Sequence, residues 1–377
     1  MSKKLLIIAG EASGDLHGAG LVRELKKLNP GIEYSGVGGS KLKEEGMAIL
    51  FSIDRLAFMG FYEVLKNLAL IQELKNKLLD FIDQNKPDLV ILIDYPGFNL
   101  RFAKEVKKRN IPVLYYISPQ VWAWGKRRVK AISKLVDRML VFFPFEEELY
   151  KQEEVRVNFI GHPLLDLVKP SFSKQDFRNR LKIREGESLI GILPGSRWQE
   201  IENILPPMLR SCSILKQRLK NLKIAIGLAP TIDVNKAELF LKKTNPEVQF
   251  LKDSTYDLMS HSDLLLVTSG TATLESAISG TPLIILYKTS FLTYFIARLM
   301  VKIPFIGMVN IVAGEKIVPE FIQFQIKPQK IAQEMERILK DKDKYERIKV
   351  KLNQVKNRLG QKGAYQRGAE IVNQMLL

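Results

Sequence analysis

The sequence has few of the residues that form disulfides or metal clusters. Its 377 residues include one cysteine, Cys212, and three histidines, His17, His162 and His261. A single cysteine excludes an internal disulfide, and three histidines far apart without ligand spacing exclude a zinc cluster. A reducing cytoplasm fits this composition; separately, we expect neither a metal nor another cofactor.

Long apolar runs are also missing. No stretch reaches the roughly 18 uncharged apolar residues of a membrane-spanning helix. The least polar segment, residues 282–313, is broken by Lys288, Arg298, Lys302 and Pro304. The start, MSKKLLIIAGEASGD, has an apolar core of only LLIIA, which argues against a signal peptide.

Two common nucleotide motifs are absent. No G-x-x-x-x-G-K-[ST] sequence occurs, so a P-loop is excluded. The turn AGEASGDLHG has the spacing G-x-x-x-G and places Glu11 where a pyrophosphate would approach, which argues against a dinucleotide site. Glu11, Asp15 and His17 instead predict a site for a neutral, hydroxyl-rich ligand. The alternative is a capped turn with solvated polar side chains.

Acidic residues are fewer than basic ones. The chain has 58 Lys and Arg against 41 Asp and Glu, a net charge of +17. Residues 101–138 hold eleven of the basic residues against Glu105 and Asp137. Such a stretch attracts nucleic acid, anionic lipid headgroups or a phosphorylated substrate, or it only keeps the surface soluble.

Apolar runs without polar alternation recur along the chain, separated by helical patterns. They predict parallel strands covered on both faces, hence an α/β protein. The runs lie at 4–10, 32–39, 88–94, 112–118, 138–143, 157–161, 189–195, 223–229, 248–251, 264–268 and 283–287.

The length favours more than one domain. We predict two Rossmann-like domains, residues 1–165 and 166–345, followed by a helical tail, 346–377, that packs back on the first domain. Residues 163–187 have the character of a linker with a short basic helix. Because ligands of open parallel sheets bind at the carboxyl ends of the strands, we expect the two sheets to face each other across a cleft.

The segment LVILIDYPGFN ends a buried strand in Asp94. A carboxylate at that point is costly unless it is paired or used. Asp94 can serve as a general base towards an acceptor hydroxyl, or it can hydrogen-bond the following turn. Downstream, YYISPQVWAWGKRR sets Trp122 and Trp124 beside a basic run, as a wall for a sugar or lipid, a stacking surface for bases, or plain core.

Two turns in the second half, LPGSRWQE and TSGTATLE, have the small residues of an anion site at a helix N-terminus. Arg197 supplies a guanidinium that fits phosphate. Glu275 comes one position too late for a capping box with Thr271, so we interpret it as an acceptor for sugar hydroxyls. Favourable interaction with the helix dipole alone is the alternative.

Seven motifs occur in order along the chain: GEASGDLHGA, MGFYEVL, IDYPGFN, YYISPQVWAW, GHPLLD, LPGSRWQE and TSGTATLE. Together they resemble the lipid-A-disaccharide synthases, from residue 5 to about residue 330. The resemblance implies a GT-B fold and an inverting, metal-independent glycosyltransferase. Its substrates would be UDP-2,3-diacylglucosamine and 2,3-diacylglucosamine 1-phosphate (lipid X). Its products would be the β-1,6-linked lipid A disaccharide 1-phosphate and UDP.

The matching motifs also imply site residues. Asp94 is the first choice for the catalytic base and His17 the second. Gly97 stands where the family often has aspartate, so it receives no acid or base role. The residues expected to bind substrate are, in the first half, Glu11, Ser13, Asp15, Asn99 and Trp122 and, in the second half, Asn310, which is expected to face the cleft. The residues expected to bind UDP are Gly195, Ser196, Arg197, Glu200, Ser269, Gly270, Thr271 and Glu275.

A membrane surface follows from the same resemblance, since both substrates carry acyl chains. We expect the protein to work peripherally on the anionic cytoplasmic face of the inner membrane, attracted by its basic stretch. One helical face within 58–75 is a candidate for acyl contact, with ordinary core as the alternative; it consists of Phe58, Phe61, Tyr62, Leu65 and Leu68. Leu205, Pro206 and Met208 are expected to complete an apolar lip.

Two other functions remain open from the residues alone. A UDP-sugar 2-epimerase also uses two Rossmann-like halves, but it needs no lipid surface. A basic RNA-binding protein would bind with an affinity that falls steeply with salt, although we expect no nucleic-acid partner. The sequence leaves the oligomeric state open.

Overall fold

Two α/β units make up the chain, residues Met1–Pro163 with Leu359–Leu377, and residues Leu164–Arg358. The sequence places the division at residue 165, two residues later. The computed structural model describes residues 2–56, 68–124, 129–230, 232–238, 240, 248–291, 294–295 and 304–377.

Within the described residues, seven parallel strands form the sheet of the first unit, in the order β3-β2-β1-β4-β5-β6-β7. These strands are β1 (Lys4–Ala9), β2 (Glu33–Gly38), β3 (Ala48–Ser52), β4 (Leu89–Ile93), β5 (Val113–Tyr116), β6 (Arg138–Val141) and β7 (Val157–Phe159). The helices between them are α1 (Ala12–Leu28), α2 (Ser40–Glu44), α3 (Leu68–Asn85), α4 (Pro96–Lys107), α5 (Val121–Trp124), α6 (Val129–Ser133) and α7 (Pro144–Lys151).

The second unit repeats the plan with six described parallel strands in the order β10-β9-β8-β11-β12-β13. They are β8 (Ser188–Leu193), β9 (Leu222–Gly227), β10 (Val248–Leu251), β11 (Leu264–Thr268), β12 (Leu283–Tyr287) and β13 (Glu320–Ile322). Its helices are α8 (Leu164–Leu167), α9 (Lys174–Arg180), α10 (Trp198–Arg218), α11 (Val234–Glu238), α12 (Thr255–His261), α13 (Thr271–Ser279), α14 (Met308–Ala313), α15 (Pro328–Lys340) and α16 (Lys342–Arg358).

The central strands are apolar on both faces because each face packs on helices. Along β1, Leu6 and Ile8 belong to one core of the first unit, while Leu5 and Ile7 belong to the other. This double burial is why the strands read as continuous apolar runs in the sequence.

The last helix, α17 (Ala364–Leu376), belongs to the first unit and packs against α1. The ring of Tyr365 lies where a side chain at Gly20 would stand. The sequence places the start of this tail at residue 346, whereas the structure places it at 359, since α16 packs on α13 and α14 of the second unit.

Two edge strands, β3 and β13, are not predicted from the sequence. Each is short, and β13 has only three residues, EFI, too few to establish a pattern. The predicted fold class, α/β with two Rossmann-like units, is confirmed by the two parallel sheets. Among the described helices, none combines the length and apolarity needed to cross a bilayer.

Candidate functional site

A cavity of about 640 Å³ lies in the second unit and is lined by the turns after β8 and β11. These strands are neighbours in the sheet, with Leu193 paired to Val267, so the two turns meet at its carboxyl edge. The structure thus brings together the eight residues predicted from the two turns, namely Gly195, Ser196, Arg197, Glu200, Ser269, Gly270, Thr271 and Glu275.

Glu275 lies one turn into α13 and reaches the cavity. Its side chain accepts a hydrogen bond from the Tyr256 hydroxyl at 3.0 Å. Burial raises the pKa of the Glu275 carboxyl, and the bond from Tyr256 opposes that rise. A partly desolvated carboxylate in this position is a strong acceptor for ligand hydroxyl groups. Tyr256 was not predicted from the sequence. Its position shortly after the end of β10 is the feature that could have marked it as a site residue.

The turn after β8 is held by a carboxylate. Glu200 accepts from the backbone N–H of Ser196 at 3.0 Å and of Arg197 at 3.3 Å. Gly195 has φ +115°, and an added Cβ would overlap the Glu200 carboxyl. Glu200 therefore caps the start of α10 through the Ser196 and Arg197 amides, and the expected contact of Ser196 and Arg197 with the diphosphate stays a prediction.

Positive charge at the cavity comes from Arg197. Its side chain is 83% exposed and lies 3.9 Å from Glu200, a distant contact that leaves the guanidinium accessible to a ligand. The first-turn N–H groups of α13, at Thr271 and Ala272, have no acceptor within their own helix. A guanidinium and a helix N-terminus that line the same cavity can bind an anionic ligand together.

Asn310 is fully buried and structural, contrary to the expectation that it faces the ligand. Its amide nitrogen donates to Val318 O at 3.0 Å and to the Glu320 carboxylate at 2.9 Å, while its oxygen accepts from the N–H groups of Ile317 and Val318. Glu320 also accepts from the N–H groups of Ile306 and Gly307. The network holds the loop whose Ile306 O accepts a hydrogen bond from Ser269.

In the first unit, Asp94 follows β4 in a strained turn. Asp94 has φ +44° and Tyr95 has φ +46°, left-handed conformations that non-glycine residues rarely adopt. The Asp94 carbonyl accepts from the Tyr115 hydroxyl at 2.6 Å and from the Asn99 amide at 2.8 Å. Strain held by such contacts is typical of functional sites.

The Asp94 carboxyl has a pKa raised to about 6, chiefly by burial and next by the negative charge of Glu11. The strands that precede these two acids are neighbours, with Ala9 paired to Ile93. Glu11 and Ser13 are exposed at the start of α1. The structure thus brings Asp94 and Glu11 together, as the strand order predicts.

Two other predicted acceptor residues have structural roles. Asp15 is buried, and its oxygens accept from the backbone N–H groups of Gly39 at 2.7 Å, Lys41 at 3.0 Å and Leu42 at 3.2 Å. It caps α2, and both of its carboxylate oxygens accept backbone hydrogen bonds. Asn99 is fully buried and positions the Asp94 turn through its amide.

His17 is partly buried beside the tail helix. Its Nδ1 lies 2.9 Å from the Tyr365 hydroxyl, and its ring packs on Phe142. Burial lowers the pKa of His17 to about 4, so the imidazole is neutral at physiological pH. His17 is a weaker base than Asp94, because the pKa of His17 lies further below neutral pH than the pKa of Asp94.

Trp122 contacts a buried acidic residue, Glu146, that was not predicted from the sequence. Its indole N–H donates to Glu146 at 3.3 Å, and its ring packs edge-to-face on Phe145. Glu146 is 3% exposed, and burial raises its pKa to about 8, so it carries a proton at neutral pH. The only sign of Glu146 in the sequence is its position, because it lies in the first turn of α7, shortly after the buried strand β6.

The predicted acyl-contact face is described only at its end. Phe58, Phe61, Tyr62 and Leu65 lie outside the described residues, and Leu68 is 58% exposed. The expected apolar lip is wrong for two of its three members, since Leu205 and Met208 are completely buried in α10. Their positions on the inner face of that helix account for their burial.

Metal ligands are not grouped in the part of the chain that the structure describes. No three His, Cys, Asp or Glu side chains there are placed to hold a metal ion.

Known proteins resemble this chain over nearly its whole length. The sequence profile of the lipid-A-disaccharide synthetases matches residues 5–375. The chain belongs to this family. The lipid-A-disaccharide synthase of Syntrophus aciditrophicus is 44% identical over 98% of this chain and 96% of that protein. That of Geobacter sulfurreducens is 41% identical over 100% of this chain and 98% of that protein.

Solved structures show the same fold at low sequence identity. UDP-GlcNAc 2-epimerase from Neisseria meningitidis, solved with UDP-GlcNAc, aligns with a TM-score of 0.63 at 16% identity over 99% of both chains. The calicheamicin glycosyltransferase CalG4 aligns with a TM-score of 0.63 at 15% identity, over 100% of this chain and 98% of that one. These matches place the chain among GT-B proteins.

As a lipid-A-disaccharide synthetase family member, the chain is an enzyme, a UDP-sugar glycosyltransferase that forms the lipid A disaccharide. The predicted family, enzyme class and fold class are confirmed. Neither the epimerase nor the RNA-binding alternative has support in the family match, since the epimerase likeness is one of fold only.

Proposed function

We propose that the chain transfers diacylglucosamine from UDP-2,3-diacylglucosamine to the 6-hydroxyl of lipid X, with inversion, to give the β-1,6-linked disaccharide 1-phosphate and UDP. The observation that carries this proposal is the cavity that joins Arg197, the α13 N-terminus and Glu275 in a member of this family. Its lining residues include an acceptor for hydroxyl groups and donors for a diphosphate.

The second unit binds the donor. Glu275 accepts hydrogen bonds from the ribose hydroxyls, and Arg197 contacts the diphosphate, together with the N–H groups of Thr271 and Ala272. For the Ser196 and Arg197 amides to take part, Glu200 has to release them, and incoming phosphate oxygens compete for the same donors.

The first unit binds the acceptor and supplies the base. Asp94 takes the proton of the 6-hydroxyl as the oxygen attacks the anomeric carbon, while the bond from that carbon to the diphosphate breaks. One displacement of this kind inverts the configuration. A pKa of about 6 leaves Asp94 mostly ionised at neutral pH yet more basic than an ordinary carboxylate.

No metal takes part in this mechanism. The charge that develops on the departing UDP is met by the Arg197 guanidinium and by the N–H groups at the start of α13. The acyl chains of both substrates hold the enzyme at the cytoplasmic face of an anionic membrane, and the basic stretch 101–138 favours that surface.

The test is to incubate the protein with UDP-2,3-diacylglucosamine and lipid X in detergent micelles, with and without EDTA. We expect equal amounts of UDP and disaccharide 1-phosphate, unaffected by EDTA. UDP release that is independent of lipid X, or a C2-epimerised sugar nucleotide, would contradict the transferase mechanism. Loss of turnover with EDTA, restored by a divalent cation, would contradict the metal-free step.

A further inference from the structure

An aromatic surface of the second unit lies apart from the residues that line the cavity. Phe291 is 67% exposed, Phe324 is 71% exposed and Phe295 is 55% exposed. The rings of Phe291 and Phe324 contact each other, with centroids 6.3 Å apart and planes at 62°. Single exposed apolar residues are ordinary, but adjacent large ones mark a site of interaction.

A buried glutamine fixes the backbone that presents these rings. The Gln323 amide nitrogen donates to Thr289 O at 2.9 Å, and its oxygen accepts from Thr289 N–H at 3.1 Å. Gln323 is 8% exposed and has φ +50°, a left-handed conformation that a non-glycine residue keeps only when its surroundings enforce it. The ends of β12 and β13 are thereby joined, and one phenylalanine follows each end.

The segments that carry the rings have charged residues of one sign only. Residues 276–314 and 321–333 contain no Asp or Glu. Lys288, Lys327 and Lys330 are exposed in these segments. The four acids that flank these segments are engaged elsewhere. Glu275 accepts from Tyr256, Glu315 pairs with Lys351, Glu334 pairs with Lys344, and buried Glu320 accepts from backbone N–H groups and Asn310.

We propose that this aromatic-cationic surface, made of Phe291, Phe295 and Phe324 with Lys288 and Lys327, docks on an anionic lipid bilayer. Aromatic rings settle at the boundary of headgroups and acyl chains, and lysines beside them gain from anionic headgroups. The inference rests on the proposed function in one respect: substrates with acyl chains reside in such a bilayer.

A second copy of the chain fits this surface less well. A two-fold interface sets the same patch of one subunit against its equivalent in the other. The lysines would then face lysines, with no acid in these segments to compensate for the repulsion.

The experiment is co-sedimentation of the full chain with phosphatidylcholine vesicles, with and without one-third phosphatidylglycerol by mole. The double variant Phe291→Ser, Phe324→Ser is expected to bind the mixed vesicles roughly tenfold more weakly, since two rings leave the interface. Lys288→Gln with Lys327→Gln should weaken binding to mixed vesicles only. Val350→Ser, which removes an exposed apolar residue on α16, is the matched control and should bind as the parent does.

Two further measurements keep this inference separate from the proposed function. UDP affinity and turnover in detergent micelles should be unchanged in the phenylalanine variant, while turnover on vesicle-borne substrates falls. Unchanged vesicle binding in both double variants, with micellar turnover intact, would overturn the docking surface and leave the transferase untouched. A change from dimer to monomer without a change in vesicle binding would assign the surface to a second copy instead.

Discussion

At the residue scale, three acids have different environments and correspondingly different pKa values. Asp94 and Glu275 are partly buried beside a turn or cavity, and burial raises the pKa of each. Glu146 is enclosed by Trp122 and the start of α7, which raises its pKa further. Each environment leads to a separate measurement.

Asp94→Asn should lower kcat by roughly 10²–10⁴-fold, the range for loss of a general base. In the parent enzyme, activity should fall as pH drops through about 6, because Asp94 gains a proton there. Glu11→Gln removes a negative neighbour and should move this acid limb to lower pH. Profiles of kcat/KM from pH 5 to 9 give the result, with Glu24→Gln on α1 as the control. An unmoved limb in Glu11→Gln would assign the limb to another group.

Glu275→Gln should weaken UDP binding by roughly 10–100-fold, the value of hydrogen bonds to a charged acceptor. Tyr256→Phe should weaken it less, because that change only raises the pKa of Glu275 further. Affinity should decrease with falling pH as the carboxylate is protonated. Titration calorimetry measures both effects, and exposed Glu238→Gln is the control. Parent-like affinity in Glu275→Gln would place the ribose elsewhere.

Glu146 makes stability depend on pH. The pKa of Glu146 is about 8 in the folded protein and has its ordinary value in the unfolded chain. Between these two pH values, the folded protein holds a proton that the unfolded chain has lost. Its contribution is complete below the ordinary carboxyl pKa and is lost as pH rises through about 8. Glu146→Gln has no proton to lose, so its Tm relative to the parent should rise between pH 5 and pH 9. Calorimetry at both pH values checks this, and a constant difference would mean that Glu146 is ionised when folded.

At the element scale, each unit has its candidate residues where two neighbouring strands end. These strands are β1 and β4 in the first unit and, separately, β8 and β11 in the second. Each passes into a helix through a short turn, and each pair is adjacent in its sheet. Parallel order therefore places each pair of turns together, whatever the identity of the side chains.

The turn after β8 requires glycine at 195. Gly195→Ala would place a Cβ in the left-handed region and against the Glu200 carboxyl, with a cost of about 1–3 kcal/mol. We expect a lower Tm and UDP binding weakened by roughly tenfold, the equivalent of 1.4 kcal/mol. Gly31→Ala is the control, since its Cβ would meet only the Asn29 oxygen at 3.7 Å. Equal behaviour of the two variants in calorimetry would show that the turn is not strained.

At the scale of the whole molecule, the chain enters the first unit twice. Residues 1–163 form its sheet, and 359–377 return to cover one face through α17. Val372 and Ala369 on α17 are completely buried in the core that contains Leu5 and Ile7 of β1. The first unit is thus completed only when residues 359–377 have been synthesised.

Val372→Asp should destabilise the first unit by several kcal/mol, because it buries a charge in an apolar core. Val350→Asp on α16 is the matched control, since Val350 is 57% exposed and should change stability little. Limited proteolysis would measure the effect: residues 2–163 should be cleaved faster in Val372→Asp, with 164–358 still protected. Equal cleavage of the two variants would mean that α17 contributes little.

The sequence alone determined the α/β plan, the strand-turn-helix motifs and the family, because buried parallel strands need continuous apolar runs and a site at their ends needs small and acidic residues. Asp94, Arg197 and Glu275 were predicted in this way, and their roles stay predictions. Only the tertiary structure decided which polar residues are already occupied. Asp15 caps α2 through a contact 24 residues away, whereas Asn99 holds the Asp94 turn and Asn310 joins Glu320 through nearer partners that the folded backbone brings within hydrogen-bond distance. Tyr256 and Glu146 became visible for the same reason: a hydrogen-bond partner or a burial site formed by another element leaves no local pattern.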